Sequence, residues 1–131
     1  MNELITLFQT ILGEIFDNIN IYTQNDVDER TSPYILVECD ATEERIAGNR
    51  TWEYEMRLKL SVNAHDWKRA DFEKQFNILS AAVLDQLCPA SINPSLEHVY
   101  VYSVRTTAIS APETLDDDLS ITLTLTIITQ Q

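Results

Sequence analysis

The stretch between Trp52 and His65 constrains the fold more than any other part of the chain. Apolar and polar residues alternate through it without interruption. The apolar positions are Trp52, Tyr54, Met56, Leu58, Leu60, Val62 and Ala64, and the polar positions are Glu53, Glu55, Arg57, Lys59, Ser61 and Asn63. Since successive side chains of a β-strand point to opposite faces, this pattern predicts a long antiparallel strand with one buried face and one charge-balanced, solvated face.

Two segments show the period of amphipathic helices. The first runs from Asn2 to about Phe16, and the second runs from about Lys68 to Leu87. The second segment has one apolar row, consisting of Phe72, Phe76, Leu79, Val83 and Leu87. Because the apolar face of the long strand needs a cover, we expect these helices to pack against it.

Further strands are predicted at residues 19–23, 34–42, 98–107 and 119–129. The strand at 34–42 is partly apolar on both faces, so it is either central in the sheet or covered by another subunit. The strands occur in neighbouring pairs, which favours hairpins. We therefore predict an α+β fold, a two-layer sandwich in which two amphipathic helices pack on one face of an antiparallel sheet of four to five strands. The length of 131 residues matches a single domain spanning 1–131.

Two charged connections are candidate interface sites. The link between the second and third strands carries Glu43, Glu44, Arg45, Ile46 and Arg50, and it is either a solvated hairpin tip or an intersubunit contact. Residues 108–118 are predicted to form a surface loop. That loop ends in three acidic residues, namely Asp116, Asp117 and Asp118. Carboxylates can bind divalent cations, but the spacing of a calcium loop is absent, so a solvated acidic loop is favoured and no metal site is predicted.

The charge balance argues against several classes of partner. Nine basic residues face 21 acidic ones, giving a net charge of −12. This charge opposes binding to the phosphates of nucleic acids and to anionic membranes. No apolar run reaches the length of a membrane span, and the first residues lack the pattern of a signal peptide, so we expect a soluble protein made in a cytosol.

The sequence carries no recognisable catalytic pattern. Its two glycines, Gly13 and Gly48, do not form a phosphate-binding or dinucleotide-binding loop. His65 and Asp66 are interpreted as the exit of the long strand and the cap of the next helix. Cys39 and Cys88 are predicted to be buried, reduced thiols. We expect neither an enzyme nor a cofactor.

The order of elements, together with several short words, resembles the tail-terminator or tail-completion proteins of long-tailed bacteriophages. The words are Ser32-Pro33-Tyr34-Ile35-Leu36-Val37, a strand ending in Ser61-Val62-Asn63-Ala64-His65, and the helix DFEKQFNILSAAVLDQL. The resemblance implies a structural virion protein that forms a ring, commonly a hexamer. This ring caps the tail tube and joins it to the head connector. The expected partners are copies of the chain, the tail tube protein and connector or stopper proteins.

The same resemblance implies a location in the tail or neck of a virion assembled in the bacterial cytoplasm, with DNA passing through the ring without specific binding. Head-completion and stopper proteins of the neck are not separated from terminators by these residues. An alternative from another class is an acidic binding module, such as an immunity protein or antitoxin that masks a basic partner.

Overall fold

The computed structural model describes residues 2–24, 30–42 and 51–130. The long alternating segment forms strand β3 (Thr51–Asn63) at the centre of the sheet. It pairs antiparallel with β2 (Tyr34–Thr42) on one side. On the other side it pairs antiparallel with β6 (Asp118–Gln130) along its full length. The predicted alternation is confirmed, because the even-numbered residues from Tyr54 to Val62 are all buried.

Both predicted helices are present. Helix α1 spans Asn2–Ile15, and helix α2 spans Arg69–Asp85. The apolar row of the second segment is buried at Phe72, Leu79, Val83 and Leu87, while Phe76 is half-buried against the core. The predicted turn after α2 is instead one short helix, α3 (Pro89–Ile92), followed by a 3₁₀ turn at Asn93–Ser95. Proline at the first position of a helix lacks only an N–H that would have no partner there, so Pro89 can start α3.

One hydrophobic core lies between the helices and one face of the sheet. The strands contribute the odd-numbered residues of β2 and β6 and the even-numbered residues of β3. The largest fully buried side chains are Phe8, Phe72, Leu4, Leu12, Ile35, Met56, Leu58, Leu60, Leu79, Leu87, Ile92 and Leu123. The face opposite the helices is called the open face below.

Within the described residues the sheet has six strands in one mixed sheet, with the order β1-β2-β3-β6-β4 and with β5 paired to β6. The remaining strands are β1 (Asn20–Thr23), β4 (Tyr100–Ile109) and β5 (Glu113–Leu115). The α+β class is confirmed, but the sheet is not wholly antiparallel because β1 runs parallel to β2. A strand of four residues carries no pattern that fixes its direction, and the connection to β2 is long enough to return the chain to the same end.

The prediction of a surface loop over residues 108–118 is wrong. Strand β4 continues to Ile109, β5 follows at Glu113–Leu115, and both pair with β6. The long alternation of β6 explains the difference. Strand β6 can pair along both of its edges and extends to Asp118. Its backbone therefore offers hydrogen-bonding partners along the whole of this segment.

Strand β2 is central, which was one of the two interpretations of its doubly apolar pattern. It lies between β1 and β3. Leu36 points to the open face and is nevertheless only 3% exposed within the single chain. Nearby, the rings of Tyr22 and Tyr34 pack edge to face with centroids 5.9 Å apart, and the Tyr22 hydroxyl accepts a hydrogen bond from the Thr31 amide at 3.3 Å.

Candidate interaction surface

The outer edge of the sheet next to β6 is the most exposed regular structure in the described chain. Strands β4 and β5, together called the β4–β5 ribbon, pair only with β6 in the part of the chain that the structure describes. Every residue from Arg105 to Ile109 is exposed, as are all three residues of β5. Such an edge presents unpaired backbone groups that can accept a further strand.

Apolar side chains concentrate on the same ribbon. The large exposed apolar residues of the described chain are Ile78, Leu84, Tyr100, Tyr102, Ile109 and Leu115. Four of these lie on the β4–β5 ribbon. Tyr100 and Tyr102 pack edge to face with ring centroids 5.1 Å apart, and the Tyr102 hydroxyl bonds the side chain of Gln130. The two tyrosines thus form one exposed aromatic pair at the start of the ribbon, while Ile109 and Leu115 are exposed singly farther along it.

The start of the ribbon is held firmly to the body of the domain. The Asn93 side chain donates to the Val101 carbonyl at 2.9 Å and accepts from the Val101 amide at 2.8 Å. Glu3 of α1 accepts hydrogen bonds from the backbone amides of Glu97 and His98, and these bonds lower the pKa of the Glu3 carboxyl. The start of the ribbon is therefore held in one position. Such preorganisation lowers the entropic cost of binding another strand.

The other end of the ribbon is a tight turn. Asp116 and Asp117 have φ values of 49° and 69°, so they form the two central residues of the hairpin between β5 and β6. Two positive φ values are typical of a type I′ turn, and aspartate tolerates this region better than most residues. The Asp117 carbonyl accepts from the Ala64 amide at 2.8 Å, and its carboxylate lies 3.1 Å from His65 Nε2.

The structure shows where three of the candidate residues predicted from the sequence lie. Asp116, Asp117 and Asp118 lie together, with Asp116 and Asp117 exposed in the turn and Asp118 half-buried opposite Asn63. The other predicted residues are Glu43, Glu44, Arg45, Ile46 and Arg50, which lie outside the described residues. The strand ends that flank this second segment, Thr42 and Thr51, are at the opposite end of the sheet from the turn.

The open face carries the predicted balance of charge around Arg57. Its guanidinium lies 2.8 Å from Asp40, 3.3 Å from Glu38 and 3.4 Å from Glu55. The hydrogen bond to Asp40 contributes most to raising the pKa of Arg57, against the opposing effect of desolvation. Asp40 and Glu55 are cross-strand neighbours, so Arg57 offsets a like-charge pair that would otherwise destabilise the sheet.

The two thiols differ in their surroundings. Cys39 is buried, as predicted, and burial raises the pKa of its thiol to about 12. Cys88 was also predicted to be buried but is only partly so. Its Sγ lies 3.2 Å from the Ser91 hydroxyl, and that hydrogen bond is the main cause that lowers the Cys88 pKa. Across the described ranges, no three metal-binding side chains of the His, Cys, Asp and Glu types come together.

The interpretation of Asp66 as a helix cap is wrong. The residue before α2 is Lys68, which has an extended conformation and no side-chain capping bond. His65, just after the end of β3, contacts Asp117 of the turn. Among the described helices, none has the length and apolarity that crossing a bilayer would require.

Sequence reasoning missed the β4–β5 ribbon as a candidate site. The available signal is weak: Thr114 favours a strand, and aspartates tolerate the positive φ values of a two-residue turn. The sequence instead predicts a loop, because the segment is long for a hairpin link and ends in three aspartates. Pro112 lies in the short break between β4 and β5, where its missing N–H interrupts no pairing with β6.

No family model and no curated protein matches the chain. Its fold does match solved structures. One is a chain of the virion of a native gene transfer agent particle, with a TM-score of 0.67, 12% identity, and coverage of 99% of this chain and 93% of that chain. A second solved structure has a TM-score of 0.55 and 17% identity, covering 99% of this chain and 92% of its own. The fold is shared over nearly the whole chain.

Proposed function

We propose that this chain is a structural protein of a phage-like virion and that it acts as a tail-terminator or tail-completion subunit. The observation that carries the proposal is the fold match to a chain of a gene transfer agent virion, which covers almost all of both chains. The resemblance of the sequence to tail-terminator proteins points to the same class. In this role the chain supplies an assembly surface and performs no catalysis.

The subunit would form a ring, hexameric in the family it resembles, at the end of the tail tube. Its partners would then be further copies of itself, the tail tube protein and the connector or stopper proteins of the neck. The location would be the tail or neck of a virion assembled in the host cytoplasm. The exposed β4–β5 ribbon supports a role in assembly, because it offers backbone and apolar groups that the single chain leaves in solvent.

The net charge of −12 suits a conduit through which DNA passes without binding. The hypothesis is that Asp116, Asp117, Asp118, Glu43 and Glu44 include residues that line the lumen. Like charges would repel the phosphate backbone and prevent tight contacts. A ring structure in which all five side chains point outward would rule out this assignment.

A head-completion or stopper protein of the neck is the neighbouring possibility, since the same fold match supports it equally. The strong negative charge also favours one candidate of another class, an acidic binding module such as an immunity protein or antitoxin. That function predicts a monomer or dimer bound tightly to one basic protein.

The first test is light scattering of the purified protein over a wide concentration range, with negative-stain images of the same fractions. The terminator function predicts rings, either alone or after addition of isolated tail tubes. Incorporation at tube ends would support the terminator, whereas binding only to connectors would favour a stopper. A protein that binds neither structure and forms no ring would contradict all virion functions proposed here.

A further inference from the structure

The outer edge of the β4–β5 ribbon has a defined set of free backbone groups. The Ser110 amide donates to the Thr122 carbonyl at 2.9 Å, so the N–H of Ser110 faces β6. In an antiparallel ladder the facing direction alternates along the partner strand, which turns the peptide groups of Ile109 outward. Val104 pairs with Ile127 and Thr114 with Leu119, so by the same alternation their peptide groups also point away from β6.

The ribbon also carries opposite charges at equal distances on either side of Ile109. Ile109 pairs with Leu123, Arg105 with Thr126, and Glu113 with Ser120. Measured along β6, Arg105 therefore lies three residues to one side of Ile109, and Glu113 lies three residues to the other side. Both project to the open face, because Thr126 and Ser120 belong to the even-numbered, uncovered row of β6. Neither forms an ion pair in the described parts of the chain.

We propose that two copies of this chain pair through their β4–β5 ribbons, antiparallel, with a two-fold axis at Ile109. In this register Arg105 lies opposite Glu113 of the partner subunit, and the reverse pair forms on the other side of the axis. The outward peptide groups of Ile109 meet those of Ile109 of the partner subunit. Those of Val104 meet the peptide groups of Thr114 of the partner subunit.

Charge complementarity identifies a second copy as the occupant. In an isologous contact a residue i of one copy meets a residue j of the other and j meets i, so a two-fold axis at Ile109 places the cation Arg105 opposite the anion Glu113 of the partner subunit twice. Opposite charges directly across an antiparallel pair stabilise it, while like charges destabilise it. Ile109, which is 55% exposed, would be covered by its own equivalent on the axis.

The other edge of the same sheet does not offer an equal partner. Strand β1 has four residues, and its Ile21 carbonyl already accepts a hydrogen bond from the Gln9 side chain at 3.1 Å. A head-to-tail continuation from β4 to β1 would have to break this bond. The two-fold contact is independent of the proposed ring function, since a ring needs a heterologous contact made elsewhere on the subunit.

The charge register can be tested by a double-mutant cycle. The dissociation constant of the dimer is measured by sedimentation equilibrium for the wild type, Arg105→Glu, Glu113→Arg and the double variant. Each single reversal places two like-charge pairs across the axis and should weaken the dimer about tenfold. The double variant should return to near the wild-type value. Circular dichroism checks that each variant is folded.

Two outcomes of this cycle would overturn the proposal. One is a wild-type protein that shows no two-fold association at any concentration. The other is a dimer whose affinity is unchanged by the single reversals or is not restored in the double variant. Rings that persist in Arg105→Glu would show that the ring contact lies elsewhere, and would leave the dimer measurement to decide the proposal by itself.

A crosslinking experiment tests the position of the axis. In a Cys88→Ser background, Ile109→Cys would place two thiols opposite each other, with Cα atoms about 5.5 Å apart in a hydrogen-bonded antiparallel pair. A short bifunctional thiol reagent should convert this variant to covalent dimer. Glu14→Cys, at an exposed position on α1, is the matched control and should give no covalent dimer. Equal crosslinking of the two variants would contradict the proposed register.

Discussion

The two edges of the sheet differ in how they are finished. The β1 edge is four residues long, and Gln9 of α1 bonds its Ile21 carbonyl. The opposite edge, the β4–β5 ribbon, extends from Tyr100 to Leu115 with a short break, and most of its side chains are exposed. Of these two described edges, the ribbon therefore leaves the longer row of backbone groups open to a further strand.

The difference also shows where the helices act. Helix α1 packs against β1 and β2, and it places Phe8, Leu4 and Leu12 in the core. On the ribbon side, the last exposed residues of β4 lie beyond the helical cover, even though Leu123 of neighbouring β6 is buried. The closed edge is thus a product of helix packing, while beyond its anchored start at Val101 the ribbon edge depends on pairing with β6.

The largest effect is expected from removing the anchor of α1. Phe8 is fully buried in the core, so Phe8→Ala should lower the free energy of unfolding by about 3–5 kcal/mol. Urea denaturation measures the change. Native-state hydrogen exchange should also show faster opening of β1 amides than of β6 amides, since α1 covers the β1 edge.

Leu84→Ala is a suitable control for that variant. Leu84 is also on a helix but is 76% exposed, so its truncation should change stability by no more than about 0.5 kcal/mol. If both variants lost the same amount, or if β6 opened before β1, the assignment of α1 as the element that closes the β1 edge would be wrong.

A smaller effect is expected at the closed edge itself. Gln9→Ala removes the donor to the Ile21 carbonyl and should cost about 1 kcal/mol, in the range of a single net hydrogen bond. Thr6→Ala changes an exposed side chain of the same helix and serves as the control. Faster hydrogen exchange at the β1 amides in Gln9→Ala alone would confirm that Gln9 caps the β1 edge. Equal effects of the two substitutions would refute this role.

The fold was largely predictable because its strongest patterns are long. The alternation of β3 and β6 and the row from Phe72 to Leu87 each bury one face, and burial is what such periods encode. The direction of β1 was not predictable, because four residues carry no information about pairing. The continuation of the ribbon past residues 110–112 was not predictable, since the length of the link and its run of aspartates favour a loop, while pairing with the distant strand β6 has no local signal.

The candidate site was only partly predictable for the same reason. The sequence drew attention to Asp116, Asp117 and Asp118, and the structure places them at the tip of the ribbon. Their role in a lumen or interface stays a prediction. In the sequence Arg105 and Glu113 each lie four residues from Ile109, a spacing that would put all three on one face of a regular strand. Two irregularities in register with β6, between Thr106 and Ala108 and between β4 and β5, reduce each separation to three β6 residues and move both charges to the opposite face. Sequence spacing alone could not reveal this change of face.

A substitution that stabilises α1 should also protect the β1 edge further, and so increase its difference from the β4–β5 ribbon. Gly13 lies in an exposed position of α1, and a Cβ added there meets no atom within 4 Å. Gly13→Ala should therefore raise the free energy of unfolding by about 0.5–1 kcal/mol, because alanine loses less backbone entropy in a helix. The measurement is again urea denaturation, now combined with exchange at β1. A loss of stability would show that position 13 has a contact or a conformation that alanine cannot share.

The smallest of these effects is expected at Glu3, which ties α1 to the segment that leads into the ribbon. Glu3→Gln keeps an acceptor but removes the charge that the Glu97 and His98 amides bind. We expect a small decrease in the thermal midpoint at neutral pH, below that of Gln9→Ala. Glu14→Gln, an exposed carboxylate on the same helix, is the control and should leave the midpoint unchanged.

The pH dependence separates this contact from a general loss of charge. The Glu3 pKa is lower in the folded protein than its ordinary value of 4.5, mainly because of the Glu97 amide. Protons therefore bind the unfolded state more readily, and the stabilisation by Glu3 is complete above that ordinary value and disappears as pH falls through the folded pKa. The difference between wild type and Glu3→Gln should accordingly shrink in acid. A difference that stayed constant down to the lowest pH at which both proteins fold would mean that the hydrogen bonds do not depend on the ionised carboxylate.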